Sequence, residues 1–478
     1  MNHNHPWTRR EFLQTLGVTA TGLAVSSCAV NTNRSTVGLS KTAQEVKPII
    51  DPKTLEKPNL TVGFVPVNDC APFAIAWEKG FFRKYGLNVT LSREASWATS
   101  RDGVIFGRLD AAPVVSGAVT NARIGAEGAR HAPLCAAMTI HRHGNAITFN
   151  KAMWDSGLRP WQEYQGNLEK FEQDFRNYFE KLPLENRVLA VVLSSSIYEY
   201  FVRYLAAATG FNPDEEFRLI ILPPPQMVSN MRLGAMNAYM VAEPWNTRAL
   251  SPLGKKGEQV GFTFAQGREI WQGHPDRLLV VMESFIEENP KTYRSLVMAM
   301  IEACQYCSDA KNREEVAQLI TDRSFTGARP KQGPIDKFTR PGIVGEYNYG
   351  GFDGQKRIVN SIDTTLFFDL PENLRKIQGN HSTFLWQSQS IWLMTQAARW
   401  GQIKEFPKNA EELAHKAWRS DLYREIASDM GIQCPKEDYK IEPPEVFIDN
   451  KAFDPSDPVG YIKSFEVRAD RPQSFFLS

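Results

Sequence analysis

The chain has 478 residues, of which 42% are hydrophobic and 23% are charged, and its net charge at pH 7 is +1. This is the composition of a globular protein with enough apolar material for two or more lobes. The near-zero net charge argues against a dedicated nucleic-acid-binding protein, because the basic face of such a protein gives an excess of lysine and arginine.

The first 28 residues have the pattern of an export signal. The twin-arginine pair Arg9-Arg10 precedes an apolar run over residues 16–25, which is too short to span a bilayer. The run leads into Val25-Ser-Ser-Cys28, a bacterial lipobox pattern, so we expect Cys28 to become the lipidated first residue of the mature protein. Soluble secretion after a different cleavage and an unprocessed tail are the alternatives. Residues 29–59 are rich in Thr, Asn, Ser, Lys and Pro and predict a flexible tether.

Five cysteines remain if Cys28 is lipidated, and an odd number leaves at least one thiol unpaired. Cys304 and Cys307 have the CxxC spacing of redox and zinc sites. They lie within residues 291–320, which have helical periodicity, and no second CxxC or paired histidine completes a metal site. We therefore predict that both thiols pack inside a helix.

The first folded region alternates strands and helices. Strands are predicted over residues 60–67 and 87–91 and after residues 107–112, and a helix over residues 73–84. Asp69 is placed to cap that helix. Such alternation with short turns predicts an α/β fold with mostly parallel sheets.

A second α/β series follows a charged, aromatic segment. Residues 151–184 are helix-forming and predict an excursion over the surface. Strands are then predicted over residues 188–193, 218–222, 237–242 and 277–282, with Ser194-Ser-Ser196 capping a helix over residues 198–209. Further helices are predicted over residues 290–310, 313–322, 383–400 and 410–430, and the tail from residue 433 is irregular.

Residues 237–246 combine a strand with a polar and aromatic turn. The apolar run ends at Glu243, and Pro244, Trp245 and Asn246 follow directly. Strand ends in α/β folds face the ligand crevice, so Glu243 is a candidate ligand or metal contact. The alternative, which we favour slightly, is that Glu243 caps the helix that begins at Pro244. We favour core packing for Trp245.

Several segments together resemble the nitrate- and bicarbonate-type substrate-binding lipoproteins of ABC importers, a branch of the wider taurine, nitrate and thiamine-precursor binding group. The resemblance runs from about residue 60 to about residue 457 and rests on the order and spacing of six segments: Asp69-Cys-Ala-Pro72, Glu78-Lys-Gly-Phe-Phe82, Ser96-Trp97, Pro223-Pro-Pro-Gln-Met-Val228, Glu243-Pro-Trp-Asn246 and Ile270-Trp-Gln-Gly-His-Pro275. It implies a two-lobed periplasmic-binding-protein-like fold of type II with the ligand in the cleft. The lobes would be residues 60–147 with 277–478, and residues 148–276.

The resemblance also implies a set of ligand-binding positions. Trp97 matches the pocket tryptophan of the family. Asn145 stands where nitrate binders have Gln, Tyr198 where they have His and bicarbonate binders Thr, and Gln272 where nitrate binders have Lys. This alignment leaves neutral donors and no cation for the ligand, although a buried anion needs dense or charge-assisted hydrogen bonds. Asn237 replaces an Asp that family members often carry before the turn.

Each of these residues also has a purely structural interpretation. We favour the pocket for Trp97, leave Asn145 open, and consider a space-filling role slightly more consistent with Tyr198. His274 is interpreted as a structural residue beside the hinge. His141-Arg142-His143 is a cationic cluster that supplies the missing charge or, as we favour, a solvated loop. Arg101 is a further cationic candidate.

The resulting hypothesis is a binding protein without a catalytic residue, cofactor or metal. It captures a small inorganic-anion-like solute of the nitrate, nitrite, bicarbonate or cyanate class and delivers it to a membrane permease served by a cytoplasmic ATPase. It is anchored by lipid and faces the periplasm or the cell exterior. Two alternatives are a sensory protein for another small polar solute and an enzyme of the thiamine-pyrimidine type. Calcium beside Glu243 is a further option that no acidic loop supports.

Overall fold

Two β-sheets, joined where the chain crosses from one to the other, organise this protein in a computed structural model. The structure describes residues 41–250, 258–326, 336–368 and 382–468. The predicted export signal, Cys28 and the first part of the predicted tether lie outside these residues. Within the described ranges, none of the helices combines the length and apolar character that a membrane-spanning segment needs.

Most of the strands predicted from the sequence are present. The predictions at residues 60–67, 87–91, 188–193, 218–222, 237–242 and 277–282 correspond to β1, β2, β6, β7, β8 and β10, with ends that differ by a few residues. The described strands are β1 Asn59–Phe64, β2 Asn88–Arg93, β3 Ala112–Val115, β4 Leu134–His143, β5 Asn145–Asn150, β6 Val188–Val191, β7 Arg218–Ile221, β8 Ala238–Ala242, β9 Gly261–Gln266, β10 Pro275–Met282, β11 Glu346–Asn348, β12 Ile358–Asn360 and β13 Thr365–Leu366.

The sheets are mixed rather than mostly parallel. One sheet has the order β13-β4-β10-β3 and the other β7-β6-β8-β5-β9, while β1 and β2 form a parallel pair. In the second sheet β6 runs parallel to β7 and β8, but β5 is antiparallel to β8 and β9. In the first, β10 is antiparallel to both β3 and β4. The parallel expectation is wrong because β5 and β10 come directly from the other sheet, without the helical crossover that parallel neighbours require.

Helices flank both sheets, as the predicted α/β class requires. The helix over residues 410–430 is divided in two, and the helix over residues 73–84 is divided at Gly80, whose φ is 75°. The described α-helices are Lys41–Glu45, Ala71–Glu78, Phe81–Lys84, Trp97–Ile105, Ala118–Ile124, Lys151–Asp155, Trp161–Tyr164, Leu168–Phe179, Ile197–Ala208, Pro213–Glu216, Met227–Arg232, Trp245–Ala249, Gly267–Ile270, Glu283–Glu288, Pro290–Ser308, Arg313–Ile320, Arg340–Val344, Gln387–Arg399, Ala410–Ala417, Ser420–Asp429 and Pro458–Lys463.

The described part of the predicted tether packs against the fold. Ala43 and Leu55 are buried, and the backbone N–H of Ile49 donates to the carbonyl oxygen of Lys84 at 2.8 Å. Residues 41–59 therefore make contacts with the folded chain, because their few apolar side chains pack beside the first strands.

The aromatic segment after β5 belongs to the core. Helix Leu168–Phe179 buries Phe171, Phe175 and Phe179, and the ring of Phe171 stacks on Phe264 of β9 with centroids 4.5 Å apart. The prediction of helices here is confirmed, but the prediction of a surface excursion is wrong. Large aromatic side chains bury more apolar area than the neighbouring charges can keep in water.

The CxxC pair lies inside helix Pro290–Ser308. Cys304 and Cys307 are fully buried, and Cys304 Sγ lies 3.3 Å from the carbonyl oxygen of Ile140. Burial raises the pKa of both thiols, which keeps them protonated and unreactive. The predicted helix-packing role is confirmed, and the five described cysteines are free thiols.

Residues near Phe447, in the C-terminal segment from residue 433, pack beside the connection from β9 to β10, where the chain crosses back to the first sheet. Trp271, which lies between β9 and β10, packs its ring on Trp392 and Phe447 with centroid distances of 4.5 and 5.4 Å. The tail is irregular, as predicted, apart from the 3-10 turn Pro444–Val446 and helix Pro458–Lys463. These contacts bring the end of the described chain against the turn that carries Gln272.

Candidate ligand-binding site

A buried ion cluster lies at the start of β10, where the chain returns to the first sheet. Arg277 is 0% exposed. Its Nε lies 2.5 Å from Asp69 Oδ2, its Nη1 2.6 Å from Asp276 Oδ1, and its Nη2 donates to the Tyr198 hydroxyl at 2.7 Å. The Tyr198 hydroxyl in turn donates to Asp276 Oδ2 at 3.1 Å. Buried charges persist when they are paired and hydrogen-bonded in this way.

Trp97 covers one face of this guanidinium. It is the first residue of helix Trp97–Ile105, which Ser96 caps by accepting a hydrogen bond from the backbone N–H of Thr99. The guanidinium carbon of Arg277 lies 3.9 Å from the centroid of the Trp97 ring, a cation–π contact in a desolvated setting. Trp97 is 0% exposed, and its Nε1 has no hydrogen-bond partner among the described residues. The indole N–H is therefore available to a ligand.

His141 of β4 completes the group that we call the Arg277 cluster: Asp69, Trp97, His141, Tyr198, Asp276 and Arg277. Its Nε2 lies 3.4 Å from Asp69 Oδ2 and 4.0 Å from Asp276 Oδ2, and neither ring nitrogen has a hydrogen-bond partner among the described residues. Donor atoms of Asp69, His141 and Asp276 lie within 4.8 Å of one another, close enough for a metal ion. Both carboxylates already lie within ion-pair distance of the Arg277 guanidinium, so we assign no metal to them.

Burial and pairing set the protonation states of the Arg277 cluster. Burial raises the pKa of Asp276, and Arg277 opposes this rise. Burial alone would lower the pKa of Arg277, but Asp276 and Asp69 outweigh it and the pKa is raised. Burial also raises the pKa of Tyr198, which keeps its hydroxyl neutral. The cluster thus holds a permanent cation at its centre.

Asp69 does not cap the helix that follows it. The N-cap of helix Ala71–Glu78 is Cys70, which makes no side-chain capping bond. The predicted capping role is wrong because the Asp69 carboxylate pairs with Arg277 instead. A full charge in the interior is a stronger partner for a carboxylate than an N–H at a helix end.

Asn145 extends the cluster on the side of β5. Its Nδ2 lies 3.0 Å from His274 Nε2, and His274 Nδ1 lies 2.8 Å from the carbonyl oxygen of Trp271. This arrangement assigns the imidazole proton to Nδ1, so that Nε2 accepts from Asn145. Burial lowers the pKa of His274 well below its usual range, so the ring is neutral. The Oδ1 of Asn145 has no hydrogen-bond partner among the described residues.

Gly267 leaves the space that Asn145 occupies. A Cβ at Gly267 would lie 1.9 Å from Asn145 Oδ1 and 2.8 Å from His274 Cε1. We expect Gly267→Ala to displace the amide and to lower the free energy of unfolding by about 1–3 kcal/mol. Urea unfolding of Gly267→Ala, Asn145→Ala and the double variant measures this. The cost of Gly267→Ala should shrink in the Asn145→Ala background, and strict additivity would contradict the contact.

Gln272 lies in the turn before β10, at the C-terminal segment. It is half-buried, and its backbone N–H donates to the carbonyl oxygen of Val446 at 2.7 Å. The positive charge at the Arg277 cluster comes from Arg277, which the sequence predicts only as the first residue of a strand. The signal was present, since an arginine that begins an apolar, fully buried strand requires a buried partner.

The Glu243 carboxylate, at the end of β8 in the second sheet, is fully occupied by hydrogen bonds from other side chains and the backbone. Its Oε2 accepts hydrogen bonds from the backbone N–H and the hydroxyl of Thr247 at 3.1 and 2.8 Å, and its Oε1 accepts from the Tyr347 hydroxyl at 2.6 Å. These contacts cap helix Trp245–Ala249, the interpretation that the sequence favoured. Burial raises the pKa of the carboxyl group. Trp245 is half-buried against Arg248.

The prediction of a solvated loop at residues 141–143 is wrong. These residues end strand β4 and are buried, because the long strand carries them between the sheets and the C-terminal segment. The Arg142 guanidinium donates to Gln389 Oε1 and to the carbonyl oxygens of Gly273, Ser382 and Phe384, and burial lowers its pKa to about 10.

Only His141 of the three reaches the Arg277 cluster. The remaining cationic candidate, Arg101, pairs with Asp102 at 2.8 Å, and no described contact links it to the cluster. Neither Arg142 nor Arg101 therefore supplies the charge that the alignment lacked.

His143 makes the fold sensitive to acid. Burial lowers its pKa to about 4, while its Nε2 accepts from the backbone N–H of Gly273 at 2.7 Å. An unfolded histidine titrates near 6.5, so below that pH the unfolded chain binds a proton that the folded state refuses. We expect the free energy of unfolding to fall by about 2 kcal/mol from about pH 7 to about pH 5 through this group alone.

Urea unfolding across that pH range, with His143→Asn as the comparison, measures the effect. Asparagine tolerates the left-handed conformation at this position, where φ is 64°. The variant should show a shallower pH dependence, and equal slopes in the two proteins would contradict the assignment.

Comparison with known proteins gives a consistent family signal. The profile of the NMT1-like family matches residues 53–321. The chain is 27% identical over 482 residues to the nitrate/nitrite binding protein NrtA of Synechocystis sp., covering 97% of this chain and 98% of the relative. It is 26% identical over 489 residues to the bicarbonate-binding protein CmpA of Synechococcus sp., covering 98% and 100%.

A third relative is longer than this chain. The nitrate import ATP-binding protein NrtC of Synechocystis sp. is 34% identical over 417 residues, covering 87% of this chain but 56% of the relative, so the chain spans about half of its length. Among solved structures, the periplasmic nitrate-binding protein NrtA of Synechocystis matches with a TM-score of 0.72 and 25% identity, covering 88% of this chain and 100% of that chain. The predicted periplasmic-binding-protein-like fold is thereby confirmed.

Proposed function

The chain belongs to the NMT1-like family, and on that premise we propose that it is the substrate-binding component of an ABC importer. It captures a small solute of the nitrate, nitrite, bicarbonate or cyanate class and delivers it to a membrane permease. The observation that carries this proposal is the Arg277 cluster, a buried cation with an unpartnered indole N–H at the crossing between two sheets.

The origin of the cluster residues supports a cleft between lobes. Asp69 follows β1, Tyr198 lies on helix Ile197–Ala208 after β6, and Arg277 lies among the first residues of the returning strand β10. We propose two lobes, residues 60–147 with 277–478 and residues 148–276, whose bounds lie within a few residues of the crossings at Gly144 and before Pro275. A solute that contacts residues of both lobes favours their closed arrangement by its differential affinity, and no chemical step is required.

The ligand set comprises Trp97, Asn145, Tyr198 and Arg277. Trp97 and Asn145 each keep an unpartnered polar atom, and Tyr198 positions the guanidinium. Gln272, proposed from the resemblance, and Glu243, proposed from its place at a strand end, contact the solute only if the lobes rearrange. A membrane permease and an ATPase as partners belong to the same proposal.

The proposal also includes twin-arginine export and lipid attachment at Cys28. Mass spectrometry of the mature N-terminus of the wild type and of Cys28→Ser tests this lipid attachment.

Thermal unfolding in the presence of candidate solutes tests the proposed function. The protein is stripped of bound solute by unfolding and refolding, then titrated with nitrate, nitrite, bicarbonate and cyanate, with chloride as the ionic-strength control. At a solute concentration of about 100 times Kd, binding adds about 2.7 kcal/mol to the stability. At least one solute should raise the melting temperature above the chloride control, and the absence of any shift would refute the proposal.

A further inference from the structure

The charges of the Arg277 cluster do not suit a simple anion. Two carboxylates, Asp69 and Asp276, face one guanidinium, and both lie within ion-pair distance of it. Both carboxylates are buried, so water does not screen their excess negative charge over the single guanidinium. The histidines offer no free cation, because His141 already lies within ion-pair distance of both carboxylates and burial lowers the pKa of His143 and His274. An added anion meets a site whose positive charge is already neutralised.

The hydrogen-bond donors of the cluster are also largely engaged. Arg277 Nη1 donates to Asp276 Oδ1, Nη2 donates to the Tyr198 hydroxyl, and that hydroxyl donates to Asp276 Oδ2. Arg277 Nε faces Asp69 Oδ2 at 2.5 Å, whereas Trp97 Nε1 has no hydrogen-bond partner among the described residues. Nitrate and nitrite have only acceptors, so they would compete with the carboxylates for the same N–H groups.

One unpartnered acceptor belongs to the same region. Asn145 Oδ1 has no hydrogen-bond partner among the described residues, and the Asn145 side chain lowers the pKa of Asp276 through a hydrogen bond. Asn145 is 3% exposed, so water does not satisfy this oxygen. A buried acceptor left without a donor is costly, and a solute removes that cost only if it brings a donor.

We infer that the site selects a small solute that carries its own hydrogen-bond donor as well as acceptors. The chemical class is the protonated oxyanion or the ureido group, and acceptor-only anions are disfavoured. The solute oxygen accepts from Trp97 Nε1, and the solute O–H or N–H donates to Asn145 Oδ1 or to a carboxylate of the cluster. This inference rests on the proposed function and narrows its solute class.

Calorimetric titration of the wild type with two pairs of solutes tests the inference. Bicarbonate and urea carry donors, whereas nitrate and nitrite do not. We expect at least one donor-bearing solute to bind about tenfold or more tightly than both acceptor-only anions, a difference of about 1.4 kcal/mol. Tightest binding of nitrate or nitrite overturns the inference while it supports the proposed function. If no small solute binds, the proposed function fails and the inference falls with it.

A charge variant tests the physical reason. Asp276→Asn removes one negative charge and keeps the shape of the side chain, so nitrate affinity should rise about tenfold relative to that of the donor-bearing solute. Asp102→Asn is the matched control, because Asp102 pairs with Arg101 outside the cluster. Unchanged relative affinities in a folded Asp276→Asn protein overturn the inference, and if that variant does not fold, the wild-type titrations decide alone.

Discussion

Replacing Arg277 with methionine should lower the free energy of unfolding by about 3–5 kcal/mol, because the change leaves two buried carboxylates without a cation. Methionine keeps most of the volume, so the loss reports the charge rather than a cavity. Urea unfolding near neutral pH is the measurement. Arg101→Met is the matched control, since its partner Asp102 has a 30% exposed side chain and the pair contributes about 1 kcal/mol or less.

The same variant should recover stability in acid. Without the guanidinium, burial raises the pKa of Asp276 further above its unfolded value. A carboxyl group whose pKa is higher in the folded than in the unfolded protein stabilises the fold below the unfolded pKa. This contribution to the free energy of unfolding is lost as pH rises through the folded pKa. The deficit of Arg277→Met relative to wild type should therefore be smaller near pH 5 than near pH 8. A deficit of less than about 1 kcal/mol at both values would contradict the buried pairing.

Trp97 should separate stability from solute binding. Trp97→Ala opens a large cavity under Arg277 and is expected to cost about 3–5 kcal/mol in stability. Trp97→Phe keeps an aromatic face for the guanidinium but removes the indole N–H that no described residue uses. We expect Trp97→Phe to cost far less stability and to weaken solute binding by about tenfold or more, as measured by calorimetric titration.

Trp271→Phe provides the matched control for that substitution. Trp271 is also 0% exposed and also has an Nε1 without a described partner, but its ring packs on Trp392 and Phe447, away from the cluster. It should lose comparable stability and keep the solute affinity of the wild type. Equal effects of Trp97→Phe and Trp271→Phe on solute affinity would show that Trp97 has a purely structural role.

Local patterns in the sequence were sufficient to predict most elements. Strands β1, β6, β7 and β8 are apolar runs between turns, and Ser196 caps helix Ile197–Ala208 as predicted, by accepting from the backbone N–H of Glu199. Helix Pro290–Ser308 begins at a proline and buries its CxxC cysteines. In each case neighbouring residues alone carry the information, through periodicity and capping.

The errors come from contacts between residues that are distant in sequence. The sequence does not predict strand β4 or the burial of Arg142, whose acceptors Ser382 and Phe384 lie far along the chain. It does not predict the role of Arg277 for the same reason, because its partner Asp69 lies far earlier in the sequence. Periodicity does not show which charges meet in three dimensions. The alignment places Gln272 at the position of the family's lysine, whereas in the structure the buried cation of the cluster is Arg277.

The family resemblance predicted Trp97, Asn145 and Tyr198, and the structure brings them to one region. Trp97 and Tyr198 both lie against the Arg277 guanidinium, with distances of 3.9 and 5.2 Å to their ring centroids. Asn145 joins them through a hydrogen bond that lowers the pKa of Asp276. Their roles toward a solute remain a prediction, since contacts among themselves also explain their burial.

A crystal structure of the protein with its bound solute would show whether the solute lies at the Arg277 cluster. We expect solute density within hydrogen-bond distance of Trp97 Nε1, beside the guanidinium of Arg277 and the amide of Asn145. Density at a different place, with the Arg277 cluster unchanged and without solute, would contradict the claim that this buried cation marks the binding site.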